Sequence, residues 1–233
     1  MTVGPSVSCV IPVYNGERYL AEAVESALSQ SQPPLEIIVV DDGSTDTTEQ
    51  VARRFGDPVA YLHQDNAGAP AARNRGVAAA RGDLVAFLDS DDIWLPEKLA
   101  RQAATFAANP ALDVSTTDYE NFWVAELAAE ERSLGTGGLQ RVMAGYVNQT
   151  GMVRRRLFES VGPFDPALTH RDGMDWYARA VDSGAVAEHL AVVLTRRRLH
   201  HDNISRKRAD DAGELLRVAK ARVDRRRGTA PKP

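Results

Sequence analysis

Continuous apolar runs, without polar alternation, recur through the first half of the chain. Four of them are predicted to be strands, at residues 7–12, 36–40, 59–62 and 84–88, with 36–40 and 84–88 predicted to be buried. A fifth strand is predicted at 113–117. The segments between them have the features of helices, at 19–29, 47–55, 70–80 and 96–107. Apolar strands separated by helices predict an α/β fold, with a mostly parallel sheet covered by helices on both faces.

Beyond residue 118 this alternation weakens. Helices are predicted at 126–132, 139–144, 157–161 and 174–183, and extended segments at 151–154 and 186–199. The last predicted element is a basic helix at 209–226. No repeat of about 20 to 50 residues is present, which argues against a solenoid.

Polar clusters follow the predicted strands at the ends where parallel sheets bind their ligands. They are Tyr14-Asn15, Asp41-Asp42, Asn66-Ala-Gly68 and Asp89-Ser-Asp91. Because the carboxyl ends of parallel strands share one edge of a sheet, the sequence predicts a ligand site at this edge.

The densest cluster comes directly after the fourth predicted strand. Asp89, Asp91 and Asp92 stand close together, and carboxylates this close repel one another unless a cation holds them. A divalent metal with open positions would take phosphate oxygens as further ligands, which favours a metal-bound diphosphate. The alternative is that Asp92 caps a helix beginning at Ile93-Trp94.

Two other clusters each have a binding and a structural interpretation. In Asp41-Asp-Gly-Ser-Thr-Asp46, a carboxylate at a strand end either accepts hydrogen bonds from a base or ribose, or caps the next helix. Arg73 and Arg75 lie near the start of a predicted helix, where they favour a phosphate. Arg73 equally suits an ion pair with one of the aspartates, and both interpretations can hold.

Length, charge and cysteine content narrow the class of protein. The 233 residues, 43% of them apolar, suit one sizeable domain, and a formal net charge of -4 implies neither nucleic acid nor an anionic membrane as partner. The single cysteine, Cys9, is predicted to be a core residue. Without a leader or a long apolar segment, the chain is expected to be soluble and cytoplasmic.

Several nucleotide-binding and hydrolase classes are disfavoured by missing motifs. No Gly-x-Gly-x-x-Gly follows the first predicted strand, and no phosphate-loop motif occurs, which argues against a dinucleotide oxidoreductase and a phosphate-loop NTPase. A Gly-x-Ser-x-Gly nucleophile elbow is also missing.

Four blocks in order along the first half are Val7-Ser-Cys-Val-Ile-Pro-Val-Tyr-Asn15, Ile37-Ile-Val-Val-Asp-Asp-Gly-Ser-Thr-Asp46, Ala72-Arg-Asn-Arg-Gly76 and Phe87-Leu-Asp-Ser-Asp-Asp92. Together they resemble the nucleotide-sugar-binding half of family 2 glycosyltransferases, which have the Rossmann-like GT-A fold. The resemblance implies a UDP- or dTDP-sugar donor, a divalent metal such as Mn²⁺ or Mg²⁺, and inversion at the anomeric carbon.

The resemblance also implies roles for individual residues. Donor-binding positions are Pro12, Val13, Tyr14, Asn15, Asp42, Arg73, Asp89 and Ser90. The first four would line the base, and Asp42 would contact it. Arg73 would face the ribose or pyrophosphate, Asp89 would touch the ribose or the metal through water, and Asp91 of this D-x-D pattern would ligate the metal.

In the acceptor half the resemblance is weaker, and it rests on Asp172-Gly-Met-Asp-Trp176 and Arg198-Leu-His-His-Asp-Asn203 among other segments. Family members usually carry Glu-Asp where this chain has Asp172-Gly173, and the Asp of that pair commonly supplies the catalytic base. Asp172 is therefore the first candidate for the base and Asp175 the second. The alternative, motivated by Gly173, is a nucleotide-sugar-binding module with impaired catalysis.

Three other features of this half have competing interpretations. His200, ahead of His201, matches a position that completes the metal coordination. Trp176 offers a face for a sugar, although a core position is favoured. The run Arg196-Arg-Arg198 is interpreted as a solvated basic face, with an anionic acceptor or membrane headgroups as alternatives.

The complete prediction is one GT-A domain with three parts. These are a donor half at 1–118, an acceptor-binding and catalytic half at 119–208, and a basic helix and tail at 209–233. The predicted reaction moves a sugar from the donor to a hydroxyl or amine of a small-molecule, glycan or lipid-linked acceptor. A sugar nucleotidylyltransferase is a weaker alternative, and homodimerisation through the last helix is a further option.

Overall fold

The computed structural model describes residues 4–134, 142–145, 148–169, 171–203 and 212–228. The strands in these ranges are β1 Val7–Val13, β2 Glu36–Asp41, β3 Val59–His63, β4 Leu84–Phe87, β5 Ile93–Trp94, β6 Leu112–Trp123, β7 Val142–Ala144, β8 Met152–Arg154 and β9 Val186–Leu199. The helices are α1 Leu20–Leu28, α2 Thr48–Arg53, α3 Ala69–Ala79, α4 Lys98–Ala108, α5 Ala128–Leu134, α6 Leu157–Val161, α7 Asp172–Asp182 and α8 Ala212–Arg226. Single turns of 3₁₀ helix lie at Ala125–Leu127 and Asn148–Thr150.

The strands form one sheet in the order β3-β2-β1-β4-β8-β6-β9-β5, and β7 pairs with β6. The first four strands in sequence are parallel to one another, as predicted. β8 lies between β4 and β6 and is antiparallel to both, whereas β6 and β9 are parallel. Because β8 joins the two halves through backbone hydrogen bonds, the second half of the chain continues the same sheet.

Helices on both faces explain why the first strands lack polar alternation. All seven residues of β1 are buried. Cys9 and Ile11 face a core layer built with α1, α2 and α4, and Val10 faces the opposite layer, built with α3, α6 and α7. Polar side chains therefore gather where the strands end, since neither face of the sheet accommodates them.

Two local expectations were wrong. A helix was predicted at 139–144, but Val142–Ala144 forms strand β7, which pairs with Asp118–Glu120 of β6. Residues 139–141 lie outside the described residues. A helix does not begin at Asp92, because Ile93–Trp94 pair with β9 as strand β5. Such short strands are stabilised by partners far away in sequence, and the local pattern carries no signal for them.

The last helix also differs from its prediction in its extent. α8 begins at Ala212, and residues 209–211 of the predicted helix lie outside the described part of the chain. Within the described residues, no helix is both long enough and apolar enough to cross a membrane.

A lysine lies in the core beside the single cysteine. Lys98 is fully buried, donates to Gln102 Oε1 at 2.7 Å and lies 4.4 Å from the centroid of the Trp94 ring. Burial lowers the pKa of Lys98 from 10.5 to about 7, although Cys9 acts in the opposite direction. Burial likewise raises the pKa of the Cys9 thiol, which agrees with the predicted core role of Cys9.

Lys98→Met should stabilise the protein by about 1–3 kcal/mol near pH 7, because no ammonium group has to lose its hydration. The loss of the bond to Gln102 offsets part of this gain. Between about pH 7 and pH 10.5 the unfolded Lys98 binds more protons than the folded one, so this group makes wild-type stability rise with pH. The advantage of the variant should therefore shrink as the pH rises through this window.

Urea unfolding at several values between pH 7 and pH 9.5 would measure this difference. The matched control is Arg101→Met on the same helix, because Arg101 is exposed and its loss should change stability by about 0.5 kcal/mol or less. A pH-independent difference between Lys98→Met and wild type would contradict the prediction.

Candidate functional site

The loops after β1 and β2 are joined to each other at the carboxyl edge of the sheet. Asn15, which has a positive φ of 50°, accepts a hydrogen bond from the backbone N–H of Thr45 at 2.9 Å. The Ser44 hydroxyl accepts one from the N–H of Asn15 at 2.8 Å. Pro12 and Val13 are buried in the strand itself, so the predicted base-lining residues that are open to solvent are Tyr14, 54% exposed, and Asn15.

Asp41, the last residue of β2, and Asp42, which follows it, both make hydrogen bonds within the protein. Asp41 accepts hydrogen bonds from the Tyr61 hydroxyl at 2.7 Å and the Ser44 N–H at 2.8 Å. Asp42 accepts bonds from Gln64 Nε2 at 2.7 Å, Ala67 N–H at 2.9 Å and Gly68 N–H at 2.8 Å. Asp42 therefore fixes the loop that leads into α3, and its contact with a base stays a prediction.

Arg73 of α3 links the two halves of the chain. Its Nη2 donates to Asp89 Oδ1 at 2.8 Å and its Nη1 donates to Asp172 Oδ2 at 2.7 Å. Burial lowers the pKa of Arg73, but Asp172 and then Asp89 outweigh it, so the net shift is upward and the guanidinium stays charged. Arg75, two residues further, is exposed, which separates these two predicted candidates.

The two carboxylates that flank Arg73 differ in their access to water: the Asp89 side chain is 29% exposed, whereas Asp172 is buried. Burial raises the pKa of Asp89, although Arg73 acts in the opposite direction. Asp172, in the first turn of α7, is 2% exposed. One guanidinium thus brings the end of β4 and the start of α7 to the same place.

The two candidates for the base lie in different surroundings. Asp172 also accepts a hydrogen bond from Asn148 Nδ2 at 3.2 Å. Asp175, one turn later, accepts a bond from Arg179 Nε at 2.7 Å and contacts Arg225 Nη1 at 3.5 Å. The structure therefore brings Asp172, and not Asp175, to Arg73 and Asp89.

Asp91 and His200, the predicted metal ligands, are in contact. Asp91 Oδ2 lies 3.0 Å from His200 Nε2 and accepts a hydrogen bond from Asn203 Nδ2 at 3.0 Å. His200 is largely buried against the Tyr19 ring, with 4.9 Å between the ring centroids. His201 is exposed, and Ser90 lies half-buried between the two aspartates.

The third acidic residue of this loop is structural. Asp92 is 2% exposed and accepts a hydrogen bond from the backbone N–H of Arg198 at 2.9 Å. Burial, followed by Asp91 and Asp89, raises its pKa well above the ordinary value. Asp92 thus holds the end of β9 against the loop.

The donor set around Asp91 suits a divalent cation only if the substrate supplies further ligands. Within the described residues, no group of three or more His, Cys, Asp or Glu side chains is arranged to hold a metal. Asp91 and His200 nevertheless offer one carboxylate and one imidazole side by side, and a carboxylate is a ligand that Mn²⁺ and Mg²⁺ prefer. The pair therefore fits a two-residue site that diphosphate oxygens and water would complete.

Three residues that build the site were not singled out as site residues in the sequence. Asn148 contacts Asp172. Asn203 donates to Asp91 Oδ2 and accepts the His200 N–H at 2.7 Å. Arg198 donates to the Asp91 carbonyl at 2.9 Å. The sequence around Asp91 or Asp172 carries no information about which distant side chains will contact these residues.

The environment of Arg198 also corrects the interpretation of the basic run 196–198 as a solvated face. Arg198 is 8% exposed and pairs with Glu22. Its guanidinium carbon lies 4.6 Å from the centroid of the Tyr19 ring and 4.7 Å from that of Phe122. Arg198 therefore contacts α1, β6 and the loop of Asp91 at once and holds them together.

Trp176 has the core position that its helical pattern favoured. It is 0% exposed and stacks on Phe158, with 4.5 Å between ring centroids. Its indole N–H donates to the Gly162 carbonyl at 2.9 Å. Trp176 is consequently part of the packing behind α7 and has no free face for a sugar.

Comparison with known proteins identifies the chain. The sequence model of glycosyl transferase family 2 matches residues 8–162. The chain belongs to glycosyltransferase family 2. This membership agrees with the blocks found in the first half of the sequence, and the matched range extends through β8 into the second half.

Two curated relatives of this family 2 member illustrate how far the similarity reaches. A glycosyltransferase of Nostoc sp., named as uncharacterised, is 34% identical over 175 residues, which cover 69% of this chain and 54% of that protein. TuaG of Bacillus subtilis, named as a putative teichuronic acid biosynthesis glycosyltransferase, is 42% identical over 102 residues, 42% of this chain and 40% of that protein. The chain thus spans about half or less of these relatives.

Solved structures confirm the GT-A fold of this family 2 member. S. aureus TarS 1–349 in complex with UDP-GlcNAc has a TM-score of 0.75 and 22% identity, and covers 94% of this chain and 66% of that one. The complex of the same protein with UDP has a TM-score of 0.71 and 21% identity, covering 94% of this chain and 65% of that one. The α/β architecture predicted from the strand pattern is therefore confirmed.

Proposed function

We propose that the chain transfers a sugar from a UDP- or dTDP-sugar to a hydroxyl or amine acceptor, with inversion at the anomeric carbon. The observation that carries this proposal is the Arg73 bridge, which joins Asp89, in the loop after β4, to Asp172 of α7. Family membership and the uridine nucleotides bound by the similarly folded TarS support a nucleotide-sugar donor.

The residues divide the proposed reaction between them. The base would lie against Tyr14 and Asn15, and the ribose near Asp89 and Ser90. The acceptor oxygen forms a bond to the anomeric carbon as the bond to the diphosphate oxygen breaks, and Asp172 takes the acceptor proton. Arg73 holds Asp172 in place for that transfer, and its predicted contact with pyrophosphate would add to this role.

A divalent metal at Asp91 and His200 would supply positive charge to the departing diphosphate. The contribution of the chain is to keep these two side chains together. Asn203 donates to the Asp91 carboxylate and accepts a hydrogen bond from the His200 backbone N–H, and Arg198 donates to the backbone carbonyl of Asp91. Proton transfer at Asp172 and the charge at Asp91 are thus provided by separate parts of one site.

A second candidate function follows from Gly173. Because the usual family carboxylate is missing at this position, the chain would alternatively bind a nucleotide sugar without turning it over. Incubation with a panel of UDP- and dTDP-hexoses separates the candidates. Released UDP or dTDP supports transfer, binding without turnover supports the module, and pyrophosphate release would indicate a nucleotidylyltransferase.

Asp91→Ala should weaken UDP binding in the presence of Mn²⁺ by about 10- to 100-fold, because the cation loses a charged ligand. Isothermal titration calorimetry with and without EDTA would measure the change. Glu159→Ala, which removes an exposed carboxylate on α6, is the matched control and should bind UDP as wild type does. Equal Mn²⁺-dependent affinity in Asp91→Ala and wild type would rule out the metal assignment.

A further inference from the structure

The residue next to Asp172 has no room for a side chain. A Cβ atom added to Gly173 would lie 2.3 Å from Asn148 Oδ1 and 2.8 Å from Asn148 Cγ. Cβ atoms essentially never show non-bonded contacts this short, so any larger residue at 173 would have to displace the Asn148 side chain. The chain thus has a carboxamide where the first atoms of a side chain at 173 would lie.

Asn148 is itself well placed to act on Asp172. It begins the 3₁₀ turn Asn148–Thr150 before β8, and it is 8% exposed. Its backbone carbonyl accepts a hydrogen bond from the Gly151 N–H at 3.0 Å, which fixes the backbone of the turn. Its Nδ2 reaches Asp172 Oδ2 at 3.2 Å, and since an ionised carboxylate only accepts hydrogen bonds, the amide nitrogen has to face it.

The other atom of the amide has no competing role. Asn148 Oδ1 is buried and has no hydrogen-bond partner among the described residues. The hydrogen bonds of this side chain within the described residues are therefore confined to Asp172. Leaving a buried amide oxygen unpaired is unfavourable, so the oxygen does not stabilise this position of the side chain, whereas the amide nitrogen bonds Asp172.

Two donors thus converge on one oxygen of Asp172. Arg73 Nη1 bonds Oδ2 at 2.7 Å and Asn148 Nδ2 bonds the same atom at 3.2 Å. Among the described residues, Oδ1 has no such partner, which makes it the oxygen that remains to accept a proton. The rotation of the carboxylate about its Cβ–Cγ bond is consequently set from two directions.

We propose that Asn148 is the positioning residue for Asp172, and that Gly173 is required because Asn148 occupies the space beside it. The inference rests on the proposed function, since it assigns Asp172 the role of base. It also accounts for the departure from the Glu-Asp pair. In this chain Gly173, next to Asp172, leaves room for the Asn148 amide, which orients the Asp172 carboxylate.

The test is a double-mutant cycle of Asn148→Ala and Gly173→Ala, in which kcat and KM for UDP-GlcNAc hydrolysis are measured. Asn148→Ala should lower kcat about 10-fold and leave KM within about twofold, because one hydrogen bond to the base is lost and no donor contact changes. Gly173→Ala should lower kcat at least as much by pushing Asn148 away. The double variant should be no slower than Asn148→Ala, because the two changes remove the same bond.

A substitution that keeps a side chain of similar volume at position 148 distinguishes the hydrogen bond to Asp172 from simple packing. Asn148→Leu fills the space without a hydrogen-bond donor, so it should be as slow as Asn148→Ala. Wild-type kcat in Asn148→Leu, or losses that multiply in the double variant, would overturn the proposal. Circular dichroism and UDP calorimetry would show that each variant is folded, and the Asn148 variants alone decide the matter if Gly173→Ala does not fold.

Failure of the proposed function has a different signature. If the wild type binds UDP but turns over no donor, the transferase proposal fails and the positioning claim is decided by a crystal structure of Asn148→Leu. An Asp172 carboxylate that keeps its wild-type rotation against Arg73 would overturn the claim. A carboxylate turned away from that orientation would support it.

Discussion

Asp172→Asn should lower turnover about 1,000-fold, within the range that a positioned general base contributes. The amide cannot take the acceptor proton, yet it has the same shape as the carboxylate. Its oxygen can still face Arg73 Nη1 and Asn148 Nδ2, the two donors that hold Asp172. Affinity for UDP, measured by calorimetry, should therefore stay within about threefold of wild type.

Asp175→Asn is the matched control for this prediction, because Asp175 lies one turn later on the same helix. Its carboxylate is bound to Arg179 and lies near Arg225, so its loss should lower stability and change turnover only a few-fold. Turnover of Asp172→Asn above about one tenth of wild type would exclude Asp172 as the base. Collapse of turnover in Asp175→Asn instead would transfer the role to the second candidate.

Arg73→Met should lower the free energy of unfolding by about 3–5 kcal/mol at pH 7, as expected when one partner of a buried ion pair is removed. The thioether keeps part of the volume but leaves Asp89 and Asp172 without their shared cation. Turnover should be lost as well, because the carboxylate of the proposed base is no longer held.

The pH dependence of this loss has a defined sign. Burial raises the pKa of Asp89, and Arg73 opposes that rise, so the variant should have a still higher pKa at Asp89. A carboxyl group whose folded pKa exceeds its unfolded value destabilises the fold above the folded pKa, and the penalty fades as the pH falls. The difference between Arg73→Met and wild type should therefore be smaller at pH 5 than at pH 7.

Urea unfolding at these two pH values provides the measurement. Arg75→Met, on the same helix but exposed, should change the free energy of unfolding by about 0.5 kcal/mol or less. A loss below about 1 kcal/mol in Arg73→Met would show that the bridge contributes little.

Local patterns were sufficient to predict the parallel strands in the first half of the chain. β1, β2 and β4 are continuous apolar runs that end in polar turns, and such runs specify buried parallel strands without any knowledge of their neighbours. The parallel order of these strands then places Asn15, Asp42 and Asp89 at one edge. The strands β5 and β7 were missed because two or three residues contain no period, and their partners lie on β9 and β6.

The candidate site divides along the same line. The resemblance proposed Asp91 with His200, and the structure brings them into contact across 109 residues of chain. The resemblance did not indicate that Arg73 would form ion pairs with both Asp89 and Asp172. The interpretation of Arg198 as part of a solvated face was wrong, because its burial depends on Tyr19 and Phe122, which are distant in sequence.

The α/β class, the family and the chemical character of each strand end depend on the order of residue types along the chain, so they could be predicted without coordinates. The pairing of each carboxylate with its cation depends on how distant segments pack, so it is visible only in the folded protein. Asn148 beside Gly173, Asn203 at Asp91 and Arg73 between two aspartates are contacts between segments that pack independently of local sequence. Hydrogen bonds act over about 3 Å, and that proximity is set by the packing of the sheet and its helices.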